Sequence, residues 1–340
     1  MSNIFMEIDE VKKYFENKNW MCETNDVGIY FYKKGTDLNN GKQIVDFSNK
    51  KRQCSFYESF DSFKSTTIDY FSQMINNLQI LNPINIYNGY GQNSFVSTGL
   101  EYYYDFLYND MNKPKNNTMI IQPSVRFKLN FFDTVYGNND VMDFSSIAFN
   151  NLSVVHFEYE LNRIMNIENI LSFLSNLGIH ASRVNFVLEY KIREKNNNVS
   201  YTAVKFFVDN LEIGDILFFQ TNNIYLIEYG FGIERLFSRV LTKKYRDLFI
   251  VNGESFNTDE ILAVNFLTLL NMFDGYNCNH GAKSKINLVL KSFDNDKLLN
   301  LDLIFQNFKF WCKVLENTEY HVDFENVSQK YLKMVRRVKL

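Results

Sequence analysis

The sequence predicts an α+β protein with one antiparallel β-sheet flanked by helices, a helical C-terminal part and a small N-terminal α/β appendage. Seven stretches between residues 93 and 230 have the β-branched, aromatic and alternating apolar patterns of strands. Hairpin-like links join most of them, which favours an antiparallel sheet over a doubly wound parallel one. After residue 231, apolar residues recur at helical spacing in five successive stretches.

The appendage is predicted to comprise residues 1–60. Apolar residues at helical spacing predict a helix over 4–17, and two strands are expected at 27–34 and 42–48. The lysine-rich stretch 48–53 is the expected linker to the next domain.

The second predicted domain, residues 61–250, carries the sheet. It is expected to begin with a helix over 62–81, which stops before Pro83 because the residue preceding a proline disfavours helical geometry. A second helix is expected over 166–178 and ends at Gly178. The predicted strands are 93–99, 118–129, 145–160, 182–192, 201–209, 212–220 and 224–230. Residues 251–340 form the predicted helical C-terminal domain.

Composition excludes several classes of protein. Hydrophobic residues make up 46% and charged residues 22%, with a net charge of −3, so no strongly basic surface is expected overall. The four cysteines are far apart without a CxxC pair, which argues against a structural zinc site and a disulfide framework. No secretory signal or run of 18 apolar residues is visible, so the expected location is the cytoplasm, with no membrane partner.

The C-terminal stretch 329–340 departs from the acidic average. It contains five cations and no acid: Lys330, Lys333, Arg336, Arg337 and Lys339. This pattern is typical of a solvated helix face, and an RNA-contacting tail is the functional alternative.

The segment from Gly230 to Arg235 carries the clearest functional signal. Two glycines separated by one residue, Gly230 and Gly232, allow the backbone to pass close to a ligand. A helix is expected to follow, with Arg235 in its first turn, and both an arginine and a helix N terminus favour a polyphosphate.

The full string IEYGFGIERLF resembles motif 3 of the class II aminoacyl-tRNA synthetases, and within that class the alanyl enzymes. Five other segments resemble alanyl segments in the same order. IIQPSVR (120–126) and SSIAFNNLSVVHF (145–157) resemble the two strands of motif 2, and LEIGDILFFQ (211–220) resembles the strand ahead of motif 3. The others are NSFVSTGLEYYYDFL (93–107) and GYNCNHGAKSKINLVLKS (275–292). The resemblance covers about 62–292 and implies a class II synthetase-like sheet.

The resemblance implies ATP and Mg²⁺ as cofactors, and formation of an aminoacyl-adenylate. In-line attack of a carboxylate on the α-phosphorus needs cations on both sides of that atom. Arg126 would contact the α-phosphate and the carboxyl group, and Arg235 the γ-phosphate, with Mg²⁺ held by the phosphates. Phe149 would pack on adenine, and Gly230 and Gly232 would also bind ATP.

Three further residues are implied to contact the amino acid. Glu228 stands where the alanyl enzymes have the aspartate that binds the substrate ammonium. Asp215 stands where they have asparagine, and Gly214 where they have a tryptophan that walls the pocket. Loss of that wall predicts a larger or reshaped pocket, so a small amino acid is expected without alanine being specified.

Structural alternatives remain open for these residues. Arg126 could be a surface strand residue, and Arg235 could pair with Glu234 or Asp247. Glu228 could pair with a lysine on the next strand. His156, in a strand of valines and phenylalanines, is expected to be a core histidine.

Three functions are consistent with the sequence. The first transfers the activated amino acid to tRNA, for which the candidate RNA contacts are Lys283, Lys285, Arg336 and Arg337. The second uses the same chemistry but transfers the amino acid to a carrier protein or a small molecule. The third is a non-catalytic paralogue that binds nucleotide, amino acid or RNA. The oligomeric state is not specified, and a homodimer is one candidate.

Overall fold

The structure is a computed structural model of the 340-residue chain. It describes residues 2–33, 56–87, 95–108, 116–126, 148–190, 193–194, 200–221, 224–241, 258–273, 280–292, 297–315 and 323–337. These residues form an α+β fold around a mostly antiparallel sheet, which confirms the predicted fold class at that level.

The described part of the sheet contains ten strands. They are β1 (Trp20–Thr24), β2 (Gly28–Lys33), β3 (Leu78–Leu81), β4 (Asn117–Val125), β5 (Ala148–Glu158), β6 (Val184–Glu189), β7 (Arg193–Glu194), β8 (Ser200–Val208), β9 (Leu211–Thr221) and β10 (Ile224–Gly232). Their order is β1-β2-β6-β8-β9-β10-β5-β4-β3, with β7 paired to β8. Only β3 and β4 pair in parallel among these strands.

Helices flank the sheet and make up the C-terminal part. They are α1 (Ser2–Asn17), α2 (Phe56–Met74), α3 (Tyr104–Tyr108), α4 (Arg163–Asn176), α5 (Ile233–Val240), α6 (Thr258–Met272), α7 (His280–Ser292), α8 (Leu301–Val314) and α9 (Phe324–Arg336). A 3₁₀ helix, Gly99–Tyr103, leads into α3. None of the described helices combines the length and the apolar character needed to cross a bilayer.

The strand directions bring several chain ends to one edge of the sheet. Because β4 and β10 are both antiparallel to β5, they run in the same direction and end at the same edge. β5 and β9 begin there, since each is antiparallel to β10. We call this edge, formed by the ends of β4 and β10 and the starts of β5 and β9, the carboxyl edge.

The two faces of the sheet are covered differently. The back face packs against helices in one large core, which includes Phe173, Phe231 and Leu236. On the front face, residues 99–108 cover a smaller apolar cluster made of Leu100, Tyr103, Leu107, Val155, Phe219 and Leu226. The part of the front face between that cluster and the carboxyl edge carries polar side chains.

The N-terminal segment is part of the central sheet, which contradicts its prediction as a separate appendage. Strand β2 pairs with β6, and the ring of Phe31 stacks on Phe186 with 4.5 Å between centroids. The predicted boundary at residue 60 falls inside α2. The strand expected at 42–48 and the boundary at 250 lie outside the described residues.

The C-terminal helices are joined to the same core. The side chain of Asn265 on α6 donates to the carbonyl oxygen of Ala148, the first residue of β5, at 3.0 Å. The same side chain accepts from Nε1 of Trp311 on α8 at 2.8 Å, and Trp311 is fully buried. The helices therefore pack directly against the carboxyl edge.

Two local predictions are wrong. The helix expected over 62–81 ends at Met74, because Asn77 adopts a left-handed conformation with φ 55° and the chain continues as β3. The strand expected over 93–99 is not formed by residues 95–98, and Gly99 begins the 3₁₀ helix, whose N-cap is Thr98. The end of α4 is as predicted, with Gly178 at φ 84°.

Candidate active site

A row of polar residues crosses the front face of the sheet. Lys205 on β8 is opposite Asp215 on β9, which is opposite Gly230 on β10. Gly230 is in turn opposite Ser153 on β5. Because directly paired residues point to the same face, these four positions line one surface. Glu228 lies two residues before Gly230 on the same strand and shares that face.

Hydroxyl groups hold the Glu228 carboxylate in place. Glu228 is only 2% exposed, and its Oε1 accepts hydrogen bonds from Ser153 Oγ and, at 3.0 Å, from Thr98 Oγ1. Thr98 Oγ1 is also 3.2 Å from Asn151 Oδ1, which accepts from the backbone N–H of Gly99 at 3.2 Å. The segment before the 3₁₀ helix is thereby fixed against the sheet, and Glu228 is buried with its charge partly satisfied.

Asp215 is the second carboxylate of this surface. Its side chain is partly accessible, and among the described residues it has no hydrogen bond or ion pair. Burial, followed by repulsion from Glu228 and Glu212, raises the pKa of Asp215 to about 7, against the opposing effects of Arg126 and Lys205. The Nζ of Lys205 bonds instead to Glu189 Oε1, at 3.0 Å.

Gly230 lets the two carboxylates lie close to the backbone of β10. A Cβ atom at this position would lie 3.1 Å from Asp215 Oδ1 and 3.8 Å from Glu228 Oε1. Gly230 lies within β10, so the expected glycine turn is not formed, but the expected close approach to a ligand remains available. Two neighbouring carboxylates suit a cationic group.

Arg126 and Phe149 lie together at the carboxyl edge. Arg126 is exposed and directly follows β4, and its guanidinium carbon is 5.9 Å from the centre of the Phe149 ring. Phe149 is the second residue of β5. Arg126 also lowers the pKa of Asp215, so the guanidinium acts electrostatically on the polar row.

Arg235 extends from the first turn of α5, as predicted, at the same edge. Its aliphatic part packs over Gly232, where an added Cβ would be 3.6 Å from Arg235 Cδ. Its Nη1 donates to the carbonyl oxygen of Glu212 at 3.4 Å. The neighbouring Glu234 is buried and accepts from the backbone and side-chain nitrogens of Asn150 at 2.8–3.0 Å. Asp247, the other partner considered for Arg235, lies outside the described residues.

Gly214 is not part of this surface, which contradicts its assignment to the amino-acid pocket. It pairs with Phe231, whose side chain is in the core of the back face. An added Cβ would lie 2.2 Å from the carbonyl oxygen of Gly230 and 2.4 Å from Phe231 Cδ1. The glycine therefore permits close packing behind the sheet, and it does not enlarge a pocket in front of it.

The candidate RNA contacts lie on helices away from the polar row in sequence. Lys283 is exposed on α7, whereas the side chain of Lys285 lies outside the described residues. Arg336 and Arg337 are exposed at the end of α9. Lys333, Arg336 and Arg337 are neighbours on the exposed surface at the end of α9, whereas Val327 and Tyr331 are buried.

Sequence reasoning missed Thr98, Asn151, Ser153 and Lys205. Their positions depend on strand register and on a contact between distant segments, for which the sequence gives no local signal. His156 is buried on the back face, as expected, with Nε2 3.1 Å from Glu158 Oε1. Within the described ranges no three His, Cys, Asp or Glu side chains are arranged to hold a metal ion.

Comparison with known proteins gives no match, either to a protein-family model or to a curated protein.

Proposed function

We propose that this protein uses ATP to activate a small amino acid as its adenylate and then transfers the aminoacyl group to an acceptor. The observation that carries the proposal is that the front face of the sheet presents a cation and two carboxylates at separate positions. Arg126 stands at the carboxyl edge, and the Asp215 and Glu228 carboxylates flank Gly230 further along the same face. An amino acid needs both, because its carboxylate favours a cation and its ammonium group favours carboxylates.

The chemistry follows from that polarity. An oxygen of the amino-acid carboxylate attacks the α-phosphorus of ATP, and the bond from that phosphorus to pyrophosphate breaks. Arg126 is suited to neutralise charge on the α-phosphate, and Arg235 to bind the far end of the polyphosphate. The half-buried ring of Phe149, beside Arg126, offers a flat surface for adenine. Mg²⁺ bound by the phosphates would supply further positive charge, and the described residues need not provide a separate metal site.

The fold supports this proposal. The segments that resemble motifs 2 and 3 of the class II synthetases fall on β4, β5 and β10, which are neighbours in the sheet. The resemblance implies that the motif 2 arginine and the motif 3 arginine contact the same ATP. Here Arg126 and Arg235 follow strands that run in the same direction and end at the same edge.

Amino-acid-dependent exchange between pyrophosphate and ATP, with Mg²⁺, tests the activity. Arg126→Ala should lower the exchange rate about a hundred- to a thousandfold, because a cation facing transition-state charge contributes about 3–4 kcal/mol. Lys13→Ala, which removes an exposed cation from α1, is the control and should exchange at the wild-type rate. Exchange by Arg126→Ala within threefold of wild type would remove Arg126 from the mechanism.

We rank tRNA first among the possible acceptors, because the end of α9 exposes Lys333, Arg336 and Arg337. Charging of labelled tRNA from the native host tests it. If exchange is present but no tRNA accepts label, the acceptor is a carrier protein or a small molecule.

A further inference from the structure

A buried carboxylate, Glu234, joins two segments that the proposed function assigns to ATP. Glu234 directly precedes Arg235 in the first turn of α5, and its partner Asn150 directly follows Phe149 on β5. The backbone N–H of Asn150 donates to both carboxylate oxygens, at 2.9 and 3.0 Å, and its Nδ2 donates to Oε1 at 2.8 Å. Glu234 is 1% exposed and Asn150 is fully buried, so water does not compete for these hydrogen bonds.

The register of the sheet explains why a carboxylate is needed at this point. Strand β10 pairs with β5 as far as Gly232, which is opposite Asn151. The next residue after β10, Ile233, is the first of α5, so among the described strands none continues the ladder beside Asn150. Glu234 supplies the missing acceptors. Without it the N–H of Asn150 would be buried and unpaired, which is strongly unfavourable.

The Glu234–Asn150 contact fixes the separation between Phe149 and Arg235. Neighbouring residues of a strand point to opposite faces, so a contact that holds Asn150 behind the sheet also holds the ring of Phe149 in front of it. On the helix, Arg235 follows Glu234 directly, and its aliphatic part packs over Gly232. The adenine surface and the more distant cation are therefore held at a set distance before ATP binds.

Resting on the proposed function, we propose that Glu234 is a positioning residue that holds Arg235 relative to the adenine surface at Phe149. Glu234 is buried and acts on ATP only through Arg235. A cation that is already in place needs no further ordering when the polyphosphate binds. AMP lacks the phosphates assigned to Arg235, so loss of Glu234 should weaken binding of ATP much more than binding of AMP.

Equilibrium binding of ATP and of AMP, with Mg²⁺ and without an amino acid, tests this role. Wild-type protein should bind ATP about tenfold or more tightly than AMP, because ATP gains hydrogen bonds to a charged group. Glu234→Met, which keeps the length of the side chain but removes both oxygens, should reduce this ratio about tenfold.

Glu234→Gln is the conservative variant and should retain most of the ratio. Its amide oxygen still accepts from the N–H of Asn150. Its amide nitrogen can donate to Asn150 Oδ1 once the Asn150 amide turns, and that oxygen is buried without a hydrogen bond among the described residues. Asn150→Ala, which removes only the Nδ2 bond, should reduce the ratio about threefold and replaces Glu234→Met if the latter does not fold.

Two comparisons separate positioning from a general loss of stability. Arg235→Ala should give the same low ratio, and adding Glu234→Met to it should change the ratio less than threefold, because Glu234 acts through Arg235. Asn166→Ala removes the buried acceptor of the Tyr229 hydroxyl, between α4 and β10. It should lower stability but leave the ratio within threefold of wild type.

The outcomes distinguish this role from the proposed function. If the ratio is unchanged in folded Glu234→Met or Asn150→Ala while wild type supports amino-acid-dependent exchange, the positioning role is wrong and the adenylation function stands. If the ratio depends on Glu234 as expected but no amino acid supports exchange, the positioning role stands and adenylation fails. If wild type binds ATP no more tightly than AMP, the assignment of Arg235 to the polyphosphate is wrong, and the positioning role with it.

Discussion

Replacing Gly230 by alanine would test the site without disturbing the fold. The new methyl group would lie 3.1 Å from Asp215 Oδ1 and 3.8 Å from Glu228 Oε1, beside the two carboxylates assigned to the substrate ammonium. The 3.1 Å contact requires the carboxylate to move by a few tenths of an ångström. Alanine is favoured over glycine within a strand by about 0.5–1 kcal/mol, so the free energy of unfolding should change by no more than about 1 kcal/mol.

The effect on substrate binding should be much larger. Displacing an ammonium group from a carboxylate removes a charge-assisted hydrogen bond of about 1.5–3 kcal/mol, which corresponds to an increase in KM for the amino acid of about ten- to a hundredfold. KM for ATP should change little, because the methyl group faces the carboxylates. Pyrophosphate exchange measured at varied amino-acid concentration gives both constants.

Gly214→Ala is the matched comparison, with the same substitution on the opposite face. Its methyl group would meet the Gly230 carbonyl oxygen at 2.2 Å, so unfolding in urea should show a loss of about 1–3 kcal/mol. An unchanged KM for the amino acid in folded Gly230→Ala would show that the substrate does not lie above Gly230. That result would refute the assignment of the two carboxylates to the substrate.

Three further predictions concern charge. Substrate binding needs ionised Asp215, whose pKa is about 7, so kcat/KM for the amino acid should fall as the pH drops below 7 and should fall less in Asp215→Asn. Burial raises the pKa of Glu234 from 4.5 to about 7, so its contribution to stability is present below pH 4.5 and is lost as the pH rises towards 7. The free energy of unfolding in urea should therefore change between pH 5 and pH 8 by less in Glu234→Gln than in the wild-type protein. The two changes should differ by up to about 3 kcal/mol. Replacement of the C-terminal cations by glutamine should weaken tRNA binding and its salt dependence but leave pyrophosphate exchange unchanged. The five replaced residues are Lys330, Lys333, Arg336, Arg337 and Lys339, the last outside the described residues.

Regular periodicity made most of the strands and helices predictable. Strand β10 was expected within two residues of its observed bounds and α5 within one residue of its observed start, because a long apolar strand followed by GxG and an amphipathic stretch is a strong local pattern. The end of α2 was missed because the switch at Asn77 depends on pairing of β3 with β4, about forty residues later. The apolar pattern of 93–99 suggested a strand, but packing of Gly99 against Ser153 fixes that segment over the sheet.

The site was only partly predictable for the same reason. Motif resemblance located Glu228, Gly230 and Arg235, which lie close together in one segment of chain. Successive residues of a strand point to opposite faces, and the register of the strand decides which residue points to which face. In β9, Asp215 points to the front face and Gly214 to the back face. No pattern within LEIGDILFFQ shows which of the two meets the ligand.

The hydrogen bonds of Asn265 restrict movement of the C-terminal helices relative to the sheet, and this affects how an acceptor could bind. Its single amide group joins the first residue of β5 to Trp311, so the C-terminal helices cannot rock against the carboxyl edge without leaving buried polar groups unpaired, at about 1–3 kcal/mol each. Helix α9 is attached to this unit through Tyr331, which donates to the carbonyl oxygen of Leu298 at 2.9 Å. An acceptor bound along α9 would be held at a fixed distance from Arg126 and Phe149. The protein would then select acceptors whose length matches the distance between α9 and these two residues.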